Sequence, residues 1–149
     1  MAAKIIDGKK MADAILEKAA LVVAQLSRPP CLAIILVGND PASQLYVKKK
    51  FDACKKAGII SKDISLPASA TEKEVIASVR KLNRDSGVDA ILVQVPLPPA
   101  VDEDCVLSEV LPEKDVDGFH PENLGRLAIG TGKILPCTPM GIIRMLKEG

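Results

Sequence analysis

The apolar run Cys31-Leu-Ala-Ile-Ile-Leu-Val37 passes directly into GNDPASQLYVKKKFDACKKAG, Gly38 to Gly58, and this junction limits the fold more than any other stretch. Seven residues without a charge read as a strand buried on both faces. The segment after it opens with helix start signals. Asp40 suits the N-cap, and Pro41 suits the first helical position, where its missing N–H costs nothing. Lys55 and Lys56 near the far end, with Gly58 as a left-handed terminator, complete the pattern. Tyr46 and Lys50 lie four residues apart and so share one helix face. A phenol and an ammonium held side by side can trade a proton and steady a flat ring. The lysines at 48, 49, 50, 55 and 56 equally suit a solvated helix face. Tyr46 is the only tyrosine in a chain with no tryptophan and two phenylalanines.

Around this junction the chain alternates. A first helix is expected from Gly8 to Leu26, with Met11, Ile15, Ala19, Val22 and Leu26 on one stripe, ended by Ser27-Arg28-Pro29-Pro30. Ile59 to Leu66 reads as a short strand. Ser69 and Thr71, each three residues before a glutamate, offer two overlapping capping boxes for a third helix, whose apolar face is Val75, Ile76, Val79 and Leu82 and which Gly87 breaks. Ala90 to Val95 is another nearly continuous apolar run, stopped by Pro96-Leu97-Pro98-Pro99. Strands alternating with helices in this order predict an α/β fold: a three-layer, mainly parallel sheet with right-handed crossovers and helices on both faces. Ligands then sit beyond the carboxyl ends of the strands, at Gly38 to Ser43 and around Gln94.

Gln94 is out of place in AILVQV, because an unpartnered buried amide costs roughly 1–3 kcal/mol. It either serves a site or satisfies backbone groups at the strand end. Asp102 to Leu111 reads as a short helix. The next loop, PEKDVDGFHPEN, is dense in hydrogen-bonding groups, although Asp115 and Asp117 before Gly118 also suit a turn, and His120 reads as a turn or packing residue. Thr138 is expected to cap a last helix that starts at Pro139.

With 149 residues, 48% apolar content and a net charge of +1, the chain suits one domain, residues 1–149, and offers no basic surface for nucleic acid or membrane. No stretch reaches the ~18 apolar residues of a membrane span, and a cytoplasmic location is expected. The four cysteines, Cys31, Cys54, Cys105 and Cys137, contain no CxxC pair and there is one histidine, so no metal site is expected. The cysteines are expected to be reduced and mostly buried.

Four segments in order, GNDPASQLYVKKK, ILVQVPLP, PEKDVDGFHPENLGRL and PCTPMG, resemble the N-terminal catalytic domain of the bifunctional methylenetetrahydrofolate dehydrogenase and methenyltetrahydrofolate cyclohydrolase family. The resemblance covers essentially the whole chain. It implies that Lys50 is the catalytic lysine and that Tyr46 stacks on the folate. It further implies that Gln94, with Val93 and Val95 beside it, lines the same cleft and holds Lys50, and that Asp117 accepts hydrogen bonds from the amino-pyrimidine edge of the pterin. The implied substrates are tetrahydrofolate derivatives, the implied cofactor is NADP, and the implied assembly is a homodimer. The chemistry moves protons near neutral pH. A lysine serves there only with a pKa brought from ~10.4 to near 7, roughly 4–5 kcal/mol of disfavoured charge.

The family carries a second, nucleotide-binding domain after PCTP-x-G, and these residues contain no Gly-rich phosphate loop, so no cofactor-binding residue is assigned. A folate-binding or regulatory module without turnover is the competing expectation. A short-chain dehydrogenase pair at Tyr46 and Lys50 is rejected, because too little chain precedes Tyr46 to hold a nucleotide fold.

Overall fold

The architecture follows from one strand that must be covered on both sides. In the computed structural model, which describes residues 5–148, β1 (Cys31–Val37) is the middle strand of a three-stranded sheet. It pairs in parallel with β2 (Ile60–Leu66) on one edge and β3 (Ala90–Val93) on the other, in the order β2-β1-β3. Cys31 stands opposite Ile60, and Ile35 stands opposite both Ile64 and Val93. Because side chains alternate across a strand, β1 feeds two cores. Cys31, Ala33, Ile35 and Val37 pack with Val75, Val79 and Leu82 of α3 (Glu72–Arg84) and Val106 of α4 (Glu103–Ser108). Ile34 and Leu36 pack on the other face with Leu92, Val47 and Phe51, the last two from α2 (Pro41–Ala57). The expected three-layer α/β arrangement is what is found.

Local chemistry sets the ends of these helices. Asp40 caps α2 by accepting from Ser43 N at 2.7 Å, and Gly58 closes it at φ 74°. Of the two overlapping boxes the one used is Thr71 with Glu74, each side chain meeting the other's backbone N–H. The carboxyl end of α3 is held by Lys114, whose Nζ donates to the carbonyls of Leu82, Asn83 and Asp85 at 3.1, 2.9 and 2.9 Å. That triple contact ties α3 to the segment beyond α4.

The structure departs from expectation at several places. α1 (Gly8–Val23) stops short of Leu26, and Ile15, Val22 and Leu26 are exposed. The half-buried side chains are Met11, Leu16, Ala19, Ala20 and Val23, and α1 leans on α2 rather than on the sheet, so its inward stripe is rotated from the predicted one. β3 ends at Val93 rather than Val95. α6 (Cys137–Glu148) begins before Thr138, which lies inside its first turn and does not cap it. Two cysteines, Cys105 and Cys137, are exposed, while Cys31 and Cys54 are buried; all four are free thiols. A further short helix, α5 (Pro121–Ala128), falls where a loop is expected. Among the described residues no helix is long and apolar enough to cross a membrane.

Before β1, Arg28 grips Asp89 through two bonds of 2.7 and 2.6 Å, and Asp89 also accepts from Cys31 N at 2.8 Å. The guanidinium and then that N–H hold the Asp89 carboxyl down to about 2. A carboxylate depressed in the folded state adds stability above its unfolded value, near 3.9, and loses it as pH falls toward the folded one. The melting-temperature gap between the wild type and Asp89→Asn is therefore expected to hold above about pH 4 and to narrow from there toward pH 2. A gap that stays constant in melts across that range would refute this role.

Candidate active site

Two strand ends meet where the sheet order reverses direction. From β1 the chain turns one way, through α2 to β2, and then crosses over to β3 on the opposite edge, so the loops leaving β1 and β3 diverge and leave a crevice between them. α2 lines one wall. Its caps fix its rotation, with Ser43 and Val47 buried toward the sheet. Four residues after Tyr46 comes Lys50, and the two point along the same wall. Tyr46 is 55% exposed and its hydroxyl has no hydrogen bond among the described residues, so its ring is what it offers the crevice. Lys48 and Lys49 are exposed to solvent, whereas Lys50 is half-buried.

The second wall comes from the end of β3. Gln94 N still donates to Ile35 O at 2.9 Å, continuing the ladder one residue past the strand, and this aims the side chain at α2. Gln94 is 8% exposed and satisfied at both ends. Its Oε1 accepts from Lys50 Nζ at 2.8 Å, and its Nε2 donates to Val95 O at 2.6 Å. Both sequence-level explanations thus hold together: the amide meets backbone, and it also restrains the lysine. Its neighbours differ from expectation. Val93 is buried in the core on the α3 side and Val95 is half-buried, and neither lines the crevice.

The third wall is the loop after α4 together with α6. Asp115 is a turn former, accepting from the backbone of Asp117, Gly118 and His120. Asp117 is half-buried and does not serve the turn. Desolvation pushes its carboxyl above the usual range, opposed by the nearby charge of Lys50 and reinforced by that of Asp115, with the neighbouring Cys137 thiol a lesser lowering influence. Cys137 opens α6 and also donates to Val116 O at 3.6 Å, so α6 is pinned to the Asp117 loop. His120 caps α5, its Nδ1 accepting from Glu122 N at 3.1 Å.

These pieces enclose a cavity of about 430 Å³ lined by Tyr46, Lys49, Lys50, Ala53, Gln94 and Thr138. Tyr46, Lys50 and Gln94 come together as expected, and Asp117 stands just beyond, within reach of the charge on Lys50. Two lining residues, Thr138 and Lys49, are not marked by the sequence. Thr138 lies in PCTPMG but reads there only as a helix cap, and Lys49 is hidden in a run of lysines.

The sequence matches the family model described as "Tetrahydrofolate dehydrogenase/cyclohydrolase, catalytic domain" over residues 6–117. The chain belongs to this tetrahydrofolate dehydrogenase/cyclohydrolase family. It is 50% identical over 146 residues to the bifunctional protein FolD of Acidiphilium cryptum, covering 98% of this chain and 52% of that relative. Among solved structures it resembles the bifunctional FolD of Campylobacter jejuni at TM-score 0.93 and 41% identity, over 99% of this chain and 54% of the other. It also resembles the Trypanosoma brucei methylenetetrahydrofolate dehydrogenase-cyclohydrolase, solved with NADP cofactor and an inhibitor, at TM-score 0.94 and 35% identity, over 99% of this chain and 52% of the other. The chain therefore spans about half the length of the curated relatives it matches.

The described residues of this family member do not fit a nicotinamide dinucleotide. The passage from β1 to α2 ends in Asp40, whose carboxylate already takes Ser43 N–H, and Pro41 removes a further N–H that a pyrophosphate would need. Glycines with positive φ stand singly, at 38, 58, 118 and 130, rather than in one phosphate loop.

A half-buried carboxylate whose pKa is raised favours the protonated form, so it costs stability once pH exceeds its folded pKa and costs nothing well below its unfolded one. Asp117→Asn, which copies the protonated shape, is therefore expected to melt above the wild type at pH 7 and alongside it near pH 3. An Asn variant that melts lower at pH 7 would contradict the desolvation account.

Proposed function

We propose that this chain supplies the folate site and the catalytic lysine of a one-carbon enzyme. The enzyme oxidises 5,10-methylenetetrahydrofolate to 5,10-methenyltetrahydrofolate with NADP and hydrolyses the product to 10-formyltetrahydrofolate. The observation that carries the proposal is the 2.8 Å bond from Lys50 to Gln94, beside Tyr46, in a cavity at the carboxyl ends of β1 and β3. The names of the relatives support it, and so does the position of Asp117. The proposed homodimer rests on family likeness, and the proposed cytoplasmic location on the sequence reading.

In the hydrolytic step a water oxygen bonds to the cationic carbon between N5 and N10. The water gives up one proton, the C–N5 bond breaks, N5 is protonated, and the second hydroxyl proton leaves as the formyl C=O forms on N10. One proton is released overall. Lys50 is proposed to carry protons between water and N5, with Gln94 fixing the direction of its amine. The Tyr46 ring is proposed to stack on the pterin and Asp117 to accept from the two donors of its amino-pyrimidine edge. A nicotinamide bound outside these residues would supply the hydride acceptor for oxidation of the methylene bridge. For that step these residues hold the folate, and the nucleotide site lies outside them.

A second reading keeps the cavity at Tyr46, Lys50 and Gln94 as a folate-binding module without turnover. One assay separates the two. Hydrolysis of 5,10-methenyltetrahydrofolate, followed by absorbance without nucleotide, is expected to exceed the spontaneous rate and to fall by at least about 10²-fold in Lys50→Ala. An undiminished rate in Lys50→Ala would overturn the catalytic assignment, and saturable folate binding in calorimetry without acceleration would favour the binding module.

A further inference from the structure

The best-organised polar cluster outside the cavity wall lies one layer behind Asp117. Asp115 is a carboxylate only 6% exposed, with no ion-pair partner among the described residues. The neighbouring Lys114 is turned away to the end of α3. All four of the bonds Asp115 accepts come from uncharged donors of its own loop and α5. Oδ1 takes Asp117 N at 3.2 Å and Gly118 N at 2.9 Å, and Oδ2 takes His120 N and Asn123 Nδ2, each at 2.9 Å. Asn123, 5% exposed, uses its other amide hydrogen on Pro112 O at 2.9 Å.

An aspartate that merely starts a turn needs the donors two or three residues on. Asp115 also reaches five and eight residues ahead, gathering the whole arc from Asp117 to Asn123 around one carboxylate. The base of the arc is bridged to the sheet, where Ile91 N donates to Lys114 O at 2.7 Å and Ile91 pairs with Asp115 in parallel. Its far side is closed by Gly118, at φ 71°, where an added Cβ would come within 3.1 Å of Pro136 N. Asp117 is the carboxylate of the arc whose side chain takes no bond from the loop among the described residues, and it lies near enough to Lys50 to feel its charge.

We infer that Asp115, supported by Asn123, is a positioning residue that fixes the backbone of Asp117 so that its carboxylate is set for the pterin edge before substrate arrives. The inference rests on the proposed role of Asp117 in folate recognition. A loop ordered in advance spares the complex the entropy of ordering it, so the effect appears in affinity. In Asp115→Asn one acceptor oxygen becomes an NH₂ group facing backbone N–H donors, and the arc must shift.

The test is calorimetric binding of 5-formyltetrahydrofolate to the 149-residue chain and its Asp117→Ala, Asp115→Asn and Asn123→Ala variants, with Asp115→Asn also placed in the Asp117→Ala background. Asp115→Asn is expected to weaken binding roughly tenfold to a hundredfold, and Asn123→Ala by less. In the Asp117→Ala background Asp115→Asn should cost almost nothing more, since the group it positions is gone. A merely structural role predicts equal losses in both backgrounds and would overturn the inference. If Asp115→Asn does not fold, Asn123→Ala alone and in the Asp117→Ala background gives the same comparison. Wild-type affinity in both Asp115→Asn and Asn123→Ala, with weakened binding in Asp117→Ala, sinks the positioning role and leaves the folate reading standing. Undiminished binding by Asp117→Ala removes the pterin role of Asp117 and the inference with it, and no binding by the wild type removes the folate reading as well.

Discussion

Everything in this molecule hangs on β1, a strand hydrogen-bonded along both edges and sealed on both faces. Ala33, Ile34 and Ile35 are each 0% exposed, so three consecutive side chains, pointing alternately up and down, all have to be covered. Burying a branched aliphatic side chain stabilises by about 1.5–3 kcal/mol, and losing the cover on either face forfeits that for several residues at once. Helices on both sides are therefore a requirement. With right-handed crossovers, the order β2-β1-β3 meets it by sending α2 to one face and α3 to the other. The crevice is a by-product. Once the chain leaves β1 and β3 in opposite directions, nothing fills the space between their carboxyl ends.

The two fixed walls of that crevice differ in how they are held. Lys50 and Tyr46 ride on a helix whose caps and buried face determine its rotation, and Gln94 is the last residue of β1's hydrogen-bond ladder. An amide left unpartnered at that depth would cost roughly 1–3 kcal/mol, and here both of its ends are met, one by Lys50 and one by Val95 O. The bond that restrains the lysine is thus the same bond that makes a polar residue tolerable in the strand. The loop wall has no ladder to lean on. It is organised from within, by a buried carboxylate that collects N–H groups of its own segment.

Residues whose effect is local are legible in the sequence. Asp40, Pro41 and Gly58 act within one turn of themselves, and they bound α2 where expected. The uncharged run at Cys31 to Val37 announces a doubly covered strand, and the polarity of Gln94 marks the crevice. Features that depend on partners distant in the chain stay hidden. The apolar residues of α1 admit more than one stripe, and the one chosen by leaning on α2 half-buries Leu16, Ala20 and Val23 in place of Ile15 and Val22. β3 ends at Val93 because β1 pairs with it only as far as Ile35 in the ladder, and no residue type at 94 or 95 signals that. Proline at 121 and histidine at 120 are start signals for α5, but an imidazole is an uncommon cap and the surrounding turn residues mask it. Asp115 and Asp117 look alike in sequence. Only the direction of the backbone, held by Gly118 against Leu135 and Pro136, makes one a scaffold and sets the other near Lys50.

On the proposed chemistry, the charge pattern explains why Asp117 is kept where it is costly. A methenyl-bearing ring brings a positive charge toward Lys50, and two like charges in a half-closed crevice repel. Asp117 is the compensating anion. Lys50 lies close enough for its charge to act on Asp117, yet the two form no ion pair among the described residues. An ion pair with Lys50 would stabilise the free protein by satisfying both groups, and would have to be broken each time a pterin arrived. Holding the carboxylate partly desolvated and unpaired places the cost in the empty protein instead, so that the hydrogen bonds from the amino-pyrimidine edge are a net gain when they form.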